Sequence, residues 1–148
     1  MQIIIVGCGK VGRTLAEQLQ EEDSDITLID VSANVINSLQ DDIDAMGIVG
    51  NGASINTLME AGVDKADILI AVTGSDEMNL LCCLIAQKTG HCQTIARVRN
   101  PIYGNEIGFI KKRLGVNMII NPELAAAQEI SRLLRFPSAI KIDTFSRG

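Results

Sequence analysis

The segment Gly7-Cys8-Gly9-Lys10-Val11-Gly12 constrains this chain more than any other. It follows a short apolar run, Gln2–Val6, and opens a helix-length segment, Val11–Glu22, with Val11, Leu15 and Leu19 on one face. Between a strand and a helix this glycine spacing has a mechanical meaning. The first glycine permits a tight turn, the second lets a ligand approach the backbone, and the third lets the helix pack close to the strand. The helix start then presents free N–H groups and the positive end of its dipole to an anion. A pyrophosphate is expected here, cradled by Gly7, Cys8, Gly9, Lys10, Val11 and Gly12. Lys10 either reaches a phosphate or stands in solvent. Cys8 fills a slot that needs a small side chain, which gives it a structural role.

The same rhythm continues. Strands are expected at Ile26–Asp30, Ala45–Val49, Asp67–Val72, Thr94–Arg99 and Asn117–Asn121. Helices are expected at Ser32–Asp41 with Ser32 as cap, Ile55–Ala61, Asp76–Thr89 stopped by Gly90, Tyr103–Leu114 stopped by Gly115, and Pro122–Arg135. Six strands alternating with helices predict an α/β fold: a doubly wound, parallel, six-stranded Rossmann-type sheet in the order 3-2-1-4-5-6. Residues 1–135 form one domain on this reading. Residues 136–148 read as a linker or the start of a following regulatory domain, with Ile140–Thr144 as one further strand.

In such a sheet, ligands bind beyond the carboxyl ends of the strands. Asp30 ends the second strand, where a carboxylate receives the ribose hydroxyls; the alternative is that it caps the next helix. A carboxylate repels a 2′-phosphate, and Val31 and Ser32 supply no cation, so NAD(H) is favoured over its phosphorylated form. Asn51, Gly52 and Ala53 follow the third strand, near an adenine. Thr73 and Gly74 follow the fourth, with Asp76 as cap of the next helix. Arg97 and Arg99 alternate to one side of the fifth strand. Arg97, within an apolar strand, needs a partner: a nucleotide phosphate, or a Glu or Asp. His91, the single histidine, reads as a surface loop residue.

Composition sets the outer bounds. A 148-residue chain that is 47% hydrophobic has the length of one domain and can build a core, so disorder is excluded. A net charge of −5 argues against a phosphate-tracking nucleic-acid surface. No apolar run approaches the roughly 18 residues of a membrane span. Met1–Val6 lacks the basic leader of a signal peptide. Cys8, Cys82, Cys83 and Cys92 form no C-x-x-C pair, and they read as small buried hydrophobes in a reducing cytoplasm, with no metal site. No acid/base pair stands out, so no catalytic residue is assigned.

Five stretches together resemble a known family: IIIVGCGKVGRTLAEQL, ITLIDVS, DILIAVTGSDEMNLLCCLIAQ, IARVRNP and GVNMIINPELAAAQEI. From Met1 to Arg135 the chain resembles the RCK (KTN) nucleotide-binding domain of TrkA-type potassium-uptake regulators. The resemblance implies NAD(H), or alternatively ATP or ADP, as a regulatory ligand. It also implies a homodimer or larger ring, and a potassium-transporting membrane subunit as partner, reached at the inner face of the cell membrane. Arg97 matches a family position that contacts the nucleotide phosphates, and Thr73 one that lines the site. Many members carry Asp where Asn51 stands. The rival reading is the NAD-binding domain of a dehydrogenase separated from its catalytic partner. The last helix carries an apolar stripe, Leu124, Ala127, Ile130 and Leu134, which is expected to pack against a second copy or else to cover the sheet.

Overall fold

Ile3 and Ile5 point to one side of the first strand, Ile4 and Val6 to the other, and all four are buried. A strand of this kind must be covered on both faces. The computed structural model describes residues 1–136. Six strands, β1 (Gln2–Val6), β2 (Asp25–Asp30), β3 (Met46–Val49), β4 (Ile68–Ala71), β5 (Gln93–Arg97) and β6 (Met118–Ile120), form one sheet in the order β3-β2-β1-β4-β5-β6. Every pairing is parallel. The doubly wound expectation therefore holds.

Helices α1 (Lys10–Gln20), α2 (Ala33–Asp42), α3 (Ile55–Glu60), α4 (Asp76–Gly90), α5 (Ile107–Leu114) and α6 (Pro122–Arg135) connect or follow the strands. On one face, Ala16 of α1 and Ile36 and Leu39 of α2 pack on Ile3, Ile5, Leu28 and Ile70. On the other, Leu58 of α3 and Leu80, Cys82, Cys83 and Ala86 of α4 pack on Ile4, Val6, Ile29 and Leu69. Each fully buried Ile or Leu contributes on the order of 1.5–3 kcal/mol. Helix α6 belongs to neither layer, and none of its residues is buried.

The register brings three strand ends level. Val6 of β1 stands beside Ile29 of β2 and Ala71 of β4. The Gly7 N–H donates to the Ile29 carbonyl at 2.9 Å, and the Val72 N–H to the Val6 carbonyl at 2.8 Å. The loops that follow β1, β2 and β4 therefore open on one edge of the sheet.

Several local expectations change. Gly90 does not stop α4; it is the last helical residue, and His91 takes the left-handed position after it, at φ 58°. Gly90 serves close packing instead, because a Cβ there would lie 1.9 Å from the Val63 carbonyl oxygen. The expected helix Tyr103–Leu114 is split into a 3-10 turn, Pro101–Tyr103, and α5. Asn100 caps the start of the turn by accepting from the Ile102 N–H. Strand β5 stops at Arg97, so Arg99 lies beyond it. Ser75 caps α4 by accepting from the Met78 N–H, and Asp76 does not. Ser32 caps α2 as expected. The expected strand Ile140–Thr144 and all but Phe136 of the expected linker lie outside the described residues.

Substituting Gly90→Ala is expected to destabilise the fold by about 1–3 kcal/mol, the scale of overpacking. His91→Gly is expected to stabilise it by about 0.5–1 kcal/mol, since it relieves a left-handed non-glycine residue. Urea denaturation of the two variants checks both signs.

Candidate functional site

Helix α1 begins unusually close to the end of β1. Gly7 sits at φ +92°, and a Cβ on it would lie 2.7 Å from the Thr73 amide nitrogen. A Cβ on Gly12 would lie 1.9 Å from the Gly7 carbonyl oxygen. These two contacts seat the helix start on the strand end. Gly9 is the N-cap, and among the described residues no side chain caps this helix. By contrast, Ser32, Ser54, Ser75 and Asn121 cap α2, α3, α4 and α6. A helix start without a side-chain cap leaves its first-turn N–H groups to other acceptors.

A cleft of about 760 Å³ opens in front of this turn, within the range of small-molecule sites. Gly7, Gly9, Lys10 and Val11 form one wall. The ends of β2 and β3 supply Asp30, Val31, Asn51 and Gly52. The segment after β4 supplies Val72, Thr73 and Gly74, and α4 supplies Met78. Arg97 and Glu123 close the far side. Three expected site residues do not face the cleft: Cys8, Gly12 and Ala53. The Cys8 side chain is buried in the core beneath α1 and α2, with its thiol 3.6 Å from the Ile29 carbonyl oxygen. Burial, with Asp30 nearby, pushes that thiol up to about 12. Such a thiol is protonated at neutral pH and is a poor nucleophile.

Asp30 is half-buried and doubly anchored. One carboxylate oxygen accepts from the Cys8 N–H at 2.8 Å, the other from the Ser32 N–H at 2.9 Å. It therefore ties the glycine turn to the start of α2. Each oxygen keeps a further lone pair for a ligand hydroxyl. Asn51 folds back through its Oδ1, which accepts from the Ala53 N–H at 2.9 Å.

Asn79, which the sequence reading overlooked, organises the next wall. It is fully buried. Its Oδ1 accepts from the Thr73 N–H at 2.8 Å and from the Thr73 hydroxyl at 2.7 Å. Its Nδ2 donates to the Arg97 carbonyl at 2.8 Å. One amide thereby holds the end of β4 against the end of β5. Asp76 adds a second tie by accepting from the Asn100 N–H at 2.8 Å.

Arg97 and Arg99 converge as alternation predicted, although Arg99 is past the strand. Arg97 is 11% exposed and pairs with Glu123 of α6. Arg99 Nη1 lies 4.0 Å from the same Glu123 oxygen, and its Nη2 donates to the Gly74 carbonyl at 2.9 Å. Among the described residues, the buried Nε of Arg97 has no hydrogen-bond partner. The partner expected for Arg97 is thus a carboxylate of this chain. Glu123 was missed because it stands in the first turn of a separate helix; the signal was the Asn-Pro-Glu run that starts α6. Its own backbone N–H, and then Arg97, hold the Glu123 carboxyl below the usual carboxylate range.

Comparison with known proteins bears on this cleft. The TrkA-N domain family matches residues 3–122. The Trk system potassium uptake protein TrkA homolog of Archaeoglobus fulgidus is 40% identical over 148 residues, covering 100% of this chain and 34% of that protein. The TrkA homolog of Methanothermobacter thermautotrophicus is 36% identical over 148 residues, covering 100% and 67%. The chain thus spans about a third of the first relative's length. The TrkA-N domain of inner membrane protein ybaL from Escherichia coli superposes with a TM-score of 0.79 at 24% identity, covering 90% of this chain and 96% of that one. The Shewanella denitrificans Kef CTD in AMP-bound form gives 0.75 at 22%, covering 99% and 92%. The GsuK channel bound to NAD gives 0.68 at 22%, covering 80% and 21%. At these identities, the structural likenesses speak for the fold alone.

The depressed carboxyl of Glu123 has a definite sign. Its folded value lies below its unfolded one, so its stabilising contribution is complete above the unfolded value, about 4.3 for glutamate. That contribution is lost as pH falls through the lower folded value. An NMR titration of the Glu123 carboxyl is expected to give a midpoint below the usual range, and Arg97→Ala is expected to raise it.

Proposed function

The chain belongs to the TrkA-N domain family, and from that premise we propose that it is the nucleotide-binding regulatory domain of a Trk- or Ktr-type potassium-uptake system. The observation that carries the proposal is the α1 start without a side-chain cap, facing a cleft with Asp30 after β2 on one side and Arg97 of β5 on the other. A dinucleotide fits this polarity. Gly7, Gly9, Lys10 and Val11 meet its pyrophosphate, and Cys8 and Gly12 shape the turn that does so. Asp30 receives the adenosine ribose. Asn51 and Gly52 border the adenine, with Ala53 fixing the Asn51 side chain. Thr73, Gly74 and Arg97 meet the second ribose of a dinucleotide, or the outer phosphates of ATP or ADP. NAD(H) is the first choice of ligand, because Asp30 repels a 2′-phosphate and Val31 and Ser32 bring no cation. ATP and ADP are the alternative. A GsuK channel bound to NAD, another GsuK structure bound to ADP, and a Kef domain with AMP support a nucleotide in this fold.

The ligand acts as an effector, not as a substrate. It shifts gating by binding one arrangement of domains better than another. The partner is a potassium-transporting membrane subunit, met at the cytoplasmic face. Among the described residues no helix is long and apolar enough to cross a membrane itself. A homodimer or larger ring is proposed on the exposure of α6: Leu124, Ile130 and Leu134 are 52%, 59% and 67% exposed. An unpartnered stripe of that kind marks an interface, and a second copy of α6 is the symmetric solution.

Gly9→Val is expected to abolish NADH binding yet keep the fold, since a Cβ at Gly9 meets nothing within 4 Å and projects into free space. Asp30→Ala is expected to weaken NADH by about 1–3 kcal/mol, the scale of a charge-assisted hydrogen bond, and Asp30→Arg to shift preference toward NADPH. Calorimetry, with circular dichroism for folding, checks all three; normal binding by every variant would remove the nucleotide from this cleft. For assembly, Ile130→Asp combined with Leu134→Asp is expected to reduce the particle mass in light scattering at unchanged helical signal. A wild type that is monomeric at micromolar concentration would rule the dimer out.

A further inference from the structure

Glu123 is part of α6, yet it lines the cleft that the strand ends build. Arg97 Nη2 and Arg99 Nη1 both approach one oxygen, Oε1, of this carboxylate. Arg97 alone donates to it, with Arg99 4.0 Å away as an ion pair, and the buried Arg97 Nε has no acceptor among the described residues. A guanidinium presents its donors as a fork that matches two oxygens at once. Glu123 does not fill that fork. A phosphate with several free oxygens would accept from Nε and Nη2 together.

The helix that carries Glu123 is loosely held. None of its residues is buried. Beyond the Arg97 and Arg99 contacts, Asn121 Nδ2 reaches the Arg99 carbonyl at 3.4 Å. Among the described residues, the anchorage of α6 is therefore concentrated at its N-cap and first turn, beside the cleft.

We propose that Glu123 is a built-in competitor for ligand phosphate: the terminal phosphate of a nucleoside polyphosphate takes Arg97 from Glu123 and loosens α6. This rests on the nucleotide reading above. It adds a sorting rule. In NAD(H) both phosphates are internal diesters, with no terminal phosphate to displace a carboxylate, so the ion pair stays. In AMP the single phosphate is retained by the glycine turn, and the ion pair stays again. ATP extends its phosphate chain past the turn and breaks the pair. One cleft thus separates two classes of adenine nucleotide by what they do to one helix. The coupling is reciprocal, as any linkage must be: whatever holds Glu123 on Arg97 weakens ATP, and ATP weakens that hold.

The test uses the full chain in buffer freed of divalent cations, so that Glu123 is not recruited as a metal ligand. ATP, AMP and NADH are titrated into wild type and Glu123→Gln by calorimetry, with circular dichroism to confirm folding. The variant is expected to bind ATP about tenfold more tightly, within the usual span of a coupling between sites, with AMP and NADH unchanged. In a second measurement on wild type, ATP but not NADH is expected to speed hydrogen exchange at the first-turn amides of α6. An ATP affinity that is unchanged or weaker in the variant overturns the proposal, as does a gain shared equally by all three nucleotides. Either of those results leaves nucleotide binding standing. Failure of both proteins to bind any of the three overturns the nucleotide reading and this proposal with it.

Discussion

The contact between Gly12 and the Gly7 carbonyl sets the geometry on which the site depends. A Cβ on Gly12 would stand 1.9 Å from that oxygen, so only a residue without one lets α1 start directly on the end of β1. From there the rest follows by register. The same turn donates its Gly7 N–H to β2 and its Cys8 N–H to Asp30. The parallel pairing brings β2 and β4 level with β1, so every adjoining loop opens onto the same edge. A longer connection here would separate the helix start from Asp30 and divide the cleft.

Charge is graded along that edge. Asp30 stands at one end, bound by two backbone N–H groups. Arg97 and Arg99 stand at the other, with Glu123 between them. The middle is occupied by backbone amides and apolar side chains. Such an arrangement fixes which way round an elongated, unevenly charged molecule can lie, since hydroxyls suit the carboxylate and phosphates suit the amides and guanidiniums. Asn79 keeps the cationic end in position by bridging Thr73 and the Arg97 carbonyl from inside the core.

What the sequence made legible depended on how local the signal was. The bounds of β1 and α6 were read residue for residue, since an apolar run meeting Gly7 and the pair Asn121-Pro122 are unambiguous stops and starts. The sheet order followed from the alternation. The end of α4 was misread because Gly90 resembles a stop signal, whereas its lack of a side chain answers Val63, a residue far back in the chain. Residues 103–106 were read as helix because nothing local separates the 3-10 turn that ends at Tyr103 from the start of α5 at Ile107. Glu123 and Asn79 were passed over for a related reason: their partners are 26 and 18 residues away, and no local periodicity reports such a pairing.

The attachment of α6 by one end also has a mechanical side. Its 14 residues make a rod about 21 Å long at 1.5 Å per residue. A tilt of about 10° at its base carries the far end through roughly 4 Å, while the first turn hardly moves and the sheet need not deform. An angstrom-scale rearrangement of one guanidinium is thereby magnified into a displacement large enough to bring side chains at Ile130 and Leu134 into or out of register with whatever they rest on. On the proposal above, the helix is the output arm of the domain, and its length sets the gain.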